Sequence, residues 1–246
     1  MDFDSAGVTL HYELHGSPSG APVVLVHGFA SDYQLNWVGT RWQEALSRGG
    51  FRVIGLDCRG HGRSAKPHEV AAYSPTVMAA DVQRLLDHLD IRTSRYLGYS
   101  MGARIGLQAV FDFPDRITQA VLGGIGMFGA VEVAEQIASA LRDGVADSDV
   151  AASFLKFAAA RPTNDLEALA ACILGLQGDL DVNRLAKVQT PILIVVGEQD
   201  DIAKDAAELI ELIPTARLVT VAGRDHLGTV PAREFKEAAL EFLAEP

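Results

Sequence analysis

The sequence predicts an α/β fold: a mostly parallel, doubly wound sheet with helices on both faces and one inserted helical cap. Three observations carry this. Short β-branched runs, turn residues and longer amphipathic runs follow one another repeatedly along the chain. Several of the short runs are apolar at every position, which suits strands covered by helices on both faces. From about residue 124 to 187 the strand signal vanishes and Ala-rich helical text replaces it.

An alternating stretch, Val8 to Leu14, comes first, and the apolar run Val23 to Val26 follows. Further strand-like runs are Phe51 to Leu56, Tyr96 to Tyr99, Ala120 to Leu122, Ile192 to Val196 and Leu218 to Val221. Between them, Met78 to Leu89 sets Val82, Leu85, Leu86 and Leu89 at helical spacing, and Phe235 to Leu243 is a second amphipathic run. The strandless segment reads as three or four helices. Because βα units flank it, it is read as an insertion, giving a core of residues 1–123 and 188–246 and a cap of residues 124–187. Neither an internal repeat nor a low-complexity linker interrupts this pattern.

Composition narrows the function classes. The chain has 246 residues, 48% hydrophobic and 22% charged, in the range of one globular domain with a buried core. Its net charge of −11 would repel phosphate backbones and anionic lipid, so neither nucleic acid nor a membrane is an expected partner. No apolar run approaches the roughly 18 residues of a bilayer span. The first residues lack the basic and apolar regions of a secretory signal, so a soluble, cytoplasmic protein is expected. Cys58 and Cys172 are expected to be buried free thiols, and oligomeric state is not legible.

The chemistry-bearing text begins with Gly98-Tyr99-Ser100-Met101-Gly102, a G-x-S-x-G pattern between a strand and a helix. A turn sharp enough to push the Ser100 hydroxyl out of the sheet leaves no room for side chains at positions 98 and 102. A helix starting at Ser100 directs unsatisfied N–H groups, that of Met101 included, toward a developing oxyanion. Upstream, His27, Gly28 and Phe29 directly follow a strand, and His27 is read as a hydrogen bonder that fixes this loop. Asp57-Cys-Arg-Gly-His-Gly-Arg-Ser64 is a polar, Gly-rich loop whose charges tie it down. After a late strand, Ile192-Leu-Ile-Val-Val-Gly-Glu-Gln-Asp-Asp offers three carboxylates, Glu198, Asp200 and Asp201. His226 follows the last strand and is the sole histidine after His88. Asp225 beside it points away in an extended loop. No metal-ligand spacing and no GxGxxG cradle occurs, so neither metal nor organic cofactor is expected.

Taken together, the His27-Gly28 loop, the Asp57-to-Ser64 loop, the Ser100 elbow, the Gly197-x-x-Asp200 turn and His226 resemble the α/β-hydrolase fold family in kind and order, over nearly the whole chain outside the cap. The resemblance implies a serine hydrolase with a Ser100, Asp200, His226 triad in the order serine, acid, histidine. Its Gly-x-x-Asp pattern selects Asp200 over Asp201. It also implies an oxyanion hole from the backbone N–H groups of Phe29 and Met101, supported by His27, Gly28, Gly98 and Gly102. Asp201 stands where the family often has Pro, and Ala103 where it often has Gly.

The expected reaction is cleavage of an ester, lactone or similar acyl bond of a small molecule. Relatives with the same motif include carbon–carbon bond hydrolases and cofactor-free haloperoxidases or perhydrolases, which the motif does not separate. A haloalkane dehalogenase would need a carboxylate in place of Ser100. The rivals from other classes are a non-turnover small-molecule receptor and a pseudo-enzyme, the latter disfavoured by the presence of all three triad residues. Cap residues Ala130, Val131, Ile137, Leu141, Phe154 and Phe157 outline an apolar acyl site, or else a helix stripe that packs on the core.

Overall fold

In a computed structural model, which describes residues 1–127, 131–178 and 181–245, eight strands form one sheet in the order β1-β2-β4-β3-β5-β6-β7-β8. These are β1 (Asp2–Ser5), β2 (Val8–Gly16), β3 (Pro22–Val26), β4 (Arg52–Leu56), β5 (Ser94–Tyr99), β6 (Ile117–Gly123), β7 (Ile192–Gly197) and β8 (Ala216–Val221). Pairing is parallel from β4 across to β8; β1 and β2 join antiparallel at one edge. Strand β1 is absent from the sequence reading because only four residues pair there, too few for alternation to stand out.

Helices cover both faces, and the period of two along each strand explains the unbroken apolar runs. Val23 and Leu25 of β3 face one layer, with Trp42 of α1 (Trp42–Arg48) and Phe235 and Phe242 of the C-terminal helix (Arg233–Ala244). Val24 and Val26 face the opposite layer, with Val82 and Leu85 of α2 (Pro75–His88) and Ile105 of α3 (Met101–Asp112). The edge strand β8 departs from the expectation of two covered faces: Leu218 is 37% exposed. Helix α2 starts earlier than the apolar spacing indicates, because the Ser74 hydroxyl accepts from the Val77 N–H and Pro75 opens the first turn.

Between β6 and β7 lie four helices, α4 (Val131–Asp143), α5 (Asp149–Ala159), α6 (Leu166–Gly175) and α7 (Val182–Leu185), and no strand among the described residues. Ser148, Asp165 and Asp181 cap the last three through their side chains. Ile137, Leu141 and Leu169 of this segment belong to the same apolar cluster as α3 and β5, so these helices share a core with the sheet. After β7 come α8 (Ala206–Leu212), α9 (His226–Thr229) and α10 (Arg233–Ala244). Among the described residues no helix is long and apolar enough to cross a membrane.

One charged pair is buried inside this frame. Arg59, in the loop after β4, donates from Nε and Nη2 to the Asp81 carboxylate on α2, both at 2.7 Å. Nη1 reaches the Ala72 carbonyl and the Ser5 hydroxyl donates to Asp81, so β1, two loops and α2 meet at one point. Removing one partner leaves an uncompensated buried charge. Asp81→Ala should therefore lower unfolding stability by about 3–5 kcal/mol in urea titrations, and a paired Arg59→Met, Asp81→Leu change should cost clearly less.

Candidate active site

Ser100 sits between β5 and α3 with φ 52° and ψ −111°, a conformation costly for any residue with a Cβ. The surroundings enforce it. A Cβ at Gly98 would lie 2.3 Å from the Gly102 carbonyl oxygen, and one at Gly102 would lie 2.0 Å from that of Val26. The Ser100 N–H donates to the Gly123 carbonyl at 2.8 Å, tying the turn to β6. The helix begins at Met101, one residue later than the sequence indicates, because Ser100 itself occupies the capping position. As the first helical residue, Met101 has no intrahelical acceptor for its N–H.

The loop after β3 passes close to this turn: a Cβ at Gly28 would be 3.7 Å from that of Ser100. The Gly28 N–H donates to Asn36 Oδ1 at 3.0 Å, so the loop is held from behind. His27 is fully buried. Its Nε2 accepts the Cys58 N–H at 3.0 Å, which fixes the tautomer and leaves Nδ1–H to donate to the Gly28 carbonyl at 2.8 Å. Both nitrogens are occupied within the fold. Burial holds the ring below its ordinary titration range. His61, also buried, donates from Nδ1 to the Arg59 carbonyl, and burial lowers its pKa to about 3. Asp57 accepts the N–H groups of Tyr33 and Arg63, so this loop is built as a tie.

His226 opens α9. Its Nδ1 donates to the Asp200 carboxylate, 2.9 Å from Oδ1 and 2.8 Å from Oδ2. That carboxylate is fully buried and its Oδ1 also accepts the N–H groups of Ile202 and Ala203, so the acid is aimed by its own turn. The other carboxylates face elsewhere. Glu198 accepts the Gly223 N–H, Asp201 is exposed, and Asp225 caps α9 by accepting the Gly228 N–H at 2.6 Å. Tyr99 donates to the His226 carbonyl at 2.5 Å and sets its ring 5.3 Å from the imidazole. Ser100 and His226 line one cavity of about 360 Å³, with no hydrogen bond between them. Contacts of this kind commonly tighten only once substrate is bound.

Cys58 and Cys172 are buried free thiols, and burial pushes both upward in pKa. Of the residues read as a cap-side acyl site, Phe154 and Phe157 line the Ser100 cavity, Ile137 lines a neighbouring one and Leu141 is core. Val131 is exposed, because it stands on the outer side of α4, and Ala130 lies outside the described residues. The sequence reading misses Asn36, Tyr99, and a tie across the site: Arg161 pairs with Asp32, and Asn164 donates to the Ala30 carbonyl at 3.2 Å. Tyr99 lies inside the elbow motif, which is its one available signal; Asn36 sits in a short helical turn, Gln34–Val38, and the others are polar residues in loops, visible only once two distant segments meet.

Residues 21–173 match a family model described as alpha/beta hydrolase fold. The enol-lactonase from Burkholderia xenovorans LB400 superimposes with a TM-score of 0.85 at 26% identity, covering 100% of both chains. A thermophilic esterase from Thermogutta terrifontis gives 0.80 at 26% identity, over 98% of this chain and 96% of the other. An epoxide hydrolase of Caballeronia sordidicola is 34% identical over 50% of this chain and 35% of its own. Four curated relatives, that epoxide hydrolase among them, are matched over only 19% to 41% of their length.

The buried histidines make the fold sensitive to acid. Folded, both rings stay neutral; unfolded, they protonate below about pH 6.5, so the unfolded chain then binds more protons. Their contribution is complete above that value and falls as pH drops toward the lowered native values. Urea unfolding midpoints measured from pH 6.5 to 5 should decline, and His61→Gln should make that decline shallower.

Proposed function

We propose that this chain, which belongs to the alpha/beta hydrolase fold family, is a serine hydrolase that cleaves an ester, lactone or similar acyl bond of a small molecule. One observation carries the reading: the buried Asp200 carboxylate grips Nδ1 of His226 in the cavity into which the strained Ser100 turn opens. With Nδ1–H committed to Asp200, Nε2 carries the lone pair and acts as the base. The likeness to an enol-lactonase and an esterase supports the acyl chemistry.

The reaction runs in two halves. Ser100 Oγ bonds to the acyl carbon while its proton passes to Nε2 of His226, and the carbonyl π pair moves onto oxygen. The N–H groups of Phe29 and Met101 receive that oxyanion. Collapse expels the leaving group, whose oxygen takes the proton from Nε2. A water then gives its proton to Nε2 and its hydroxyl to the acyl carbon, and the serine is released with the proton returned. Asp200 stabilises the imidazolium in both halves. Residues 124–187 serve as a cap over this site, and residues 1–123 and 188–246 as the core that holds the three groups.

The reading has a direct test. A fluorophosphonate probe should label the wild-type chain at one site and Ser100→Ala not at all, as read by intact-mass spectrometry; labelling that survives removes Ser100 from the role. On a p-nitrophenyl ester, Asp200→Asn should lower kcat by about 10⁴ and Asp201→Asn far less, and the opposite ranking would move the orienting role to Asp201.

A further inference from the structure

A second cavity, of about 570 Å³, meets the first at Ser100, and Phe29, Phe154 and Ile202 are the other residues that line both. Each is large enough to hold a substantial organic group. They differ in what they reach. His226 and Leu227 line only the smaller cavity, which runs toward Leu35 and Val230. Met101 lines only the larger one, which continues beneath α4 and α6 past Ile137, Ile173 and Leu176.

We infer that the two cavities divide the substrate at the scissile bond, the larger taking a bulky acyl group and the smaller taking the leaving alcohol. This assignment rests on the serine-hydrolase reading. The leaving oxygen must take its proton from His226, so its substituent lies in the cavity that His226 lines. The acyl carbon is bonded to Ser100 Oγ where the two cavities meet, so with the leaving group on the His226 side the acyl chain extends into the other cavity, which Met101 lines. Aliphatic side chains of α4 and α6 give an acyl chain there an apolar wall, while Arg104, Gln177, Asp201, Lys204 and Asp205 line the same cavity with polar groups. Exposed apolar side chains mark both cavities: Val133 and Val150 on the larger, Leu35 on the smaller. The favoured substrate is therefore an ester whose acyl part is larger than its alcohol.

Exposed positions permit a test that does not threaten folding. Val133→Trp, with Val150→Trp as an independent second variant, would narrow the larger cavity, and Leu35→Trp the smaller. Two ratios of kcat/KM are read: p-nitrophenyl octanoate over acetate for acyl size, and hexyl over methyl butyrate for alcohol size. Each larger-cavity variant should lower the acyl ratio by roughly tenfold or more, the scale of lost room for a methylene in an apolar pocket. Leu35→Trp should do so for the alcohol ratio. Crossed effects, or variants that move both ratios or neither, would overturn the assignment while fluorophosphonate labelling of Ser100 persists. Loss of labelling in the wild type would instead overturn the serine reading, and this assignment with it.

Discussion

Helix α3 runs so close beneath the ends of β3 and β5 that no Cβ fits at the crossing, and the geometry of the site depends on that contact. With Gly102 against the Val26 carbonyl and Gly98 against the Gly102 carbonyl, the chain has one way to turn from strand to helix. That route forces Ser100 into a positive φ. The strain is offset by the packing of two apolar layers on the sheet, which a small shift of the helix would disturb. The same approach brings the Gly28 loop beside the serine, so the proposed nucleophile and both proposed oxyanion donors belong to one unit.

Around that unit the loops at the C-terminal edge of the sheet are fastened by buried polar groups. His27 bridges its own loop to Cys58, Asn36 holds Gly28, and Asp57 holds the backbone of two segments. Both ring nitrogens of His27 and both carboxylate oxygens of Asp57 are hydrogen-bonded within the fold, which is the condition under which buried polar groups rigidify. Their histidines are kept neutral by burial and are engaged in structural hydrogen bonds. His226 differs in being only partly covered, with one nitrogen on Asp200 and its edge on the cavity.

The helices between β6 and β7 do more than cover the site. Arg161 on Asp32 and Asn164 on the Ala30 carbonyl tie them to the loop that carries Phe29. Phe154 of α5 rests 5.8 Å from the Phe29 ring, so a residue lining both cavities also braces the loop that carries Phe29. A change in the inserted helices can therefore reach the chemistry through this loop as well as through the volume they enclose.

The sequence by itself determined the strands of the parallel sheet, the glycines flanking Ser100 and the order serine, acid, histidine along the chain. These are local matters: periodicity within a run, and the room a backbone turn leaves for a Cβ. The tertiary structure decided which of Glu198, Asp200 and Asp201 meets His226, a question that motif resemblance answers and the residues alone leave open. It also decided that Val131 faces outward while Phe154 joins two cavities, and that Arg161 reaches Asp32. Such contacts join residues far apart in the chain. They depend on how helices settle on the sheet and where side chains point afterwards, which no short stretch of sequence specifies.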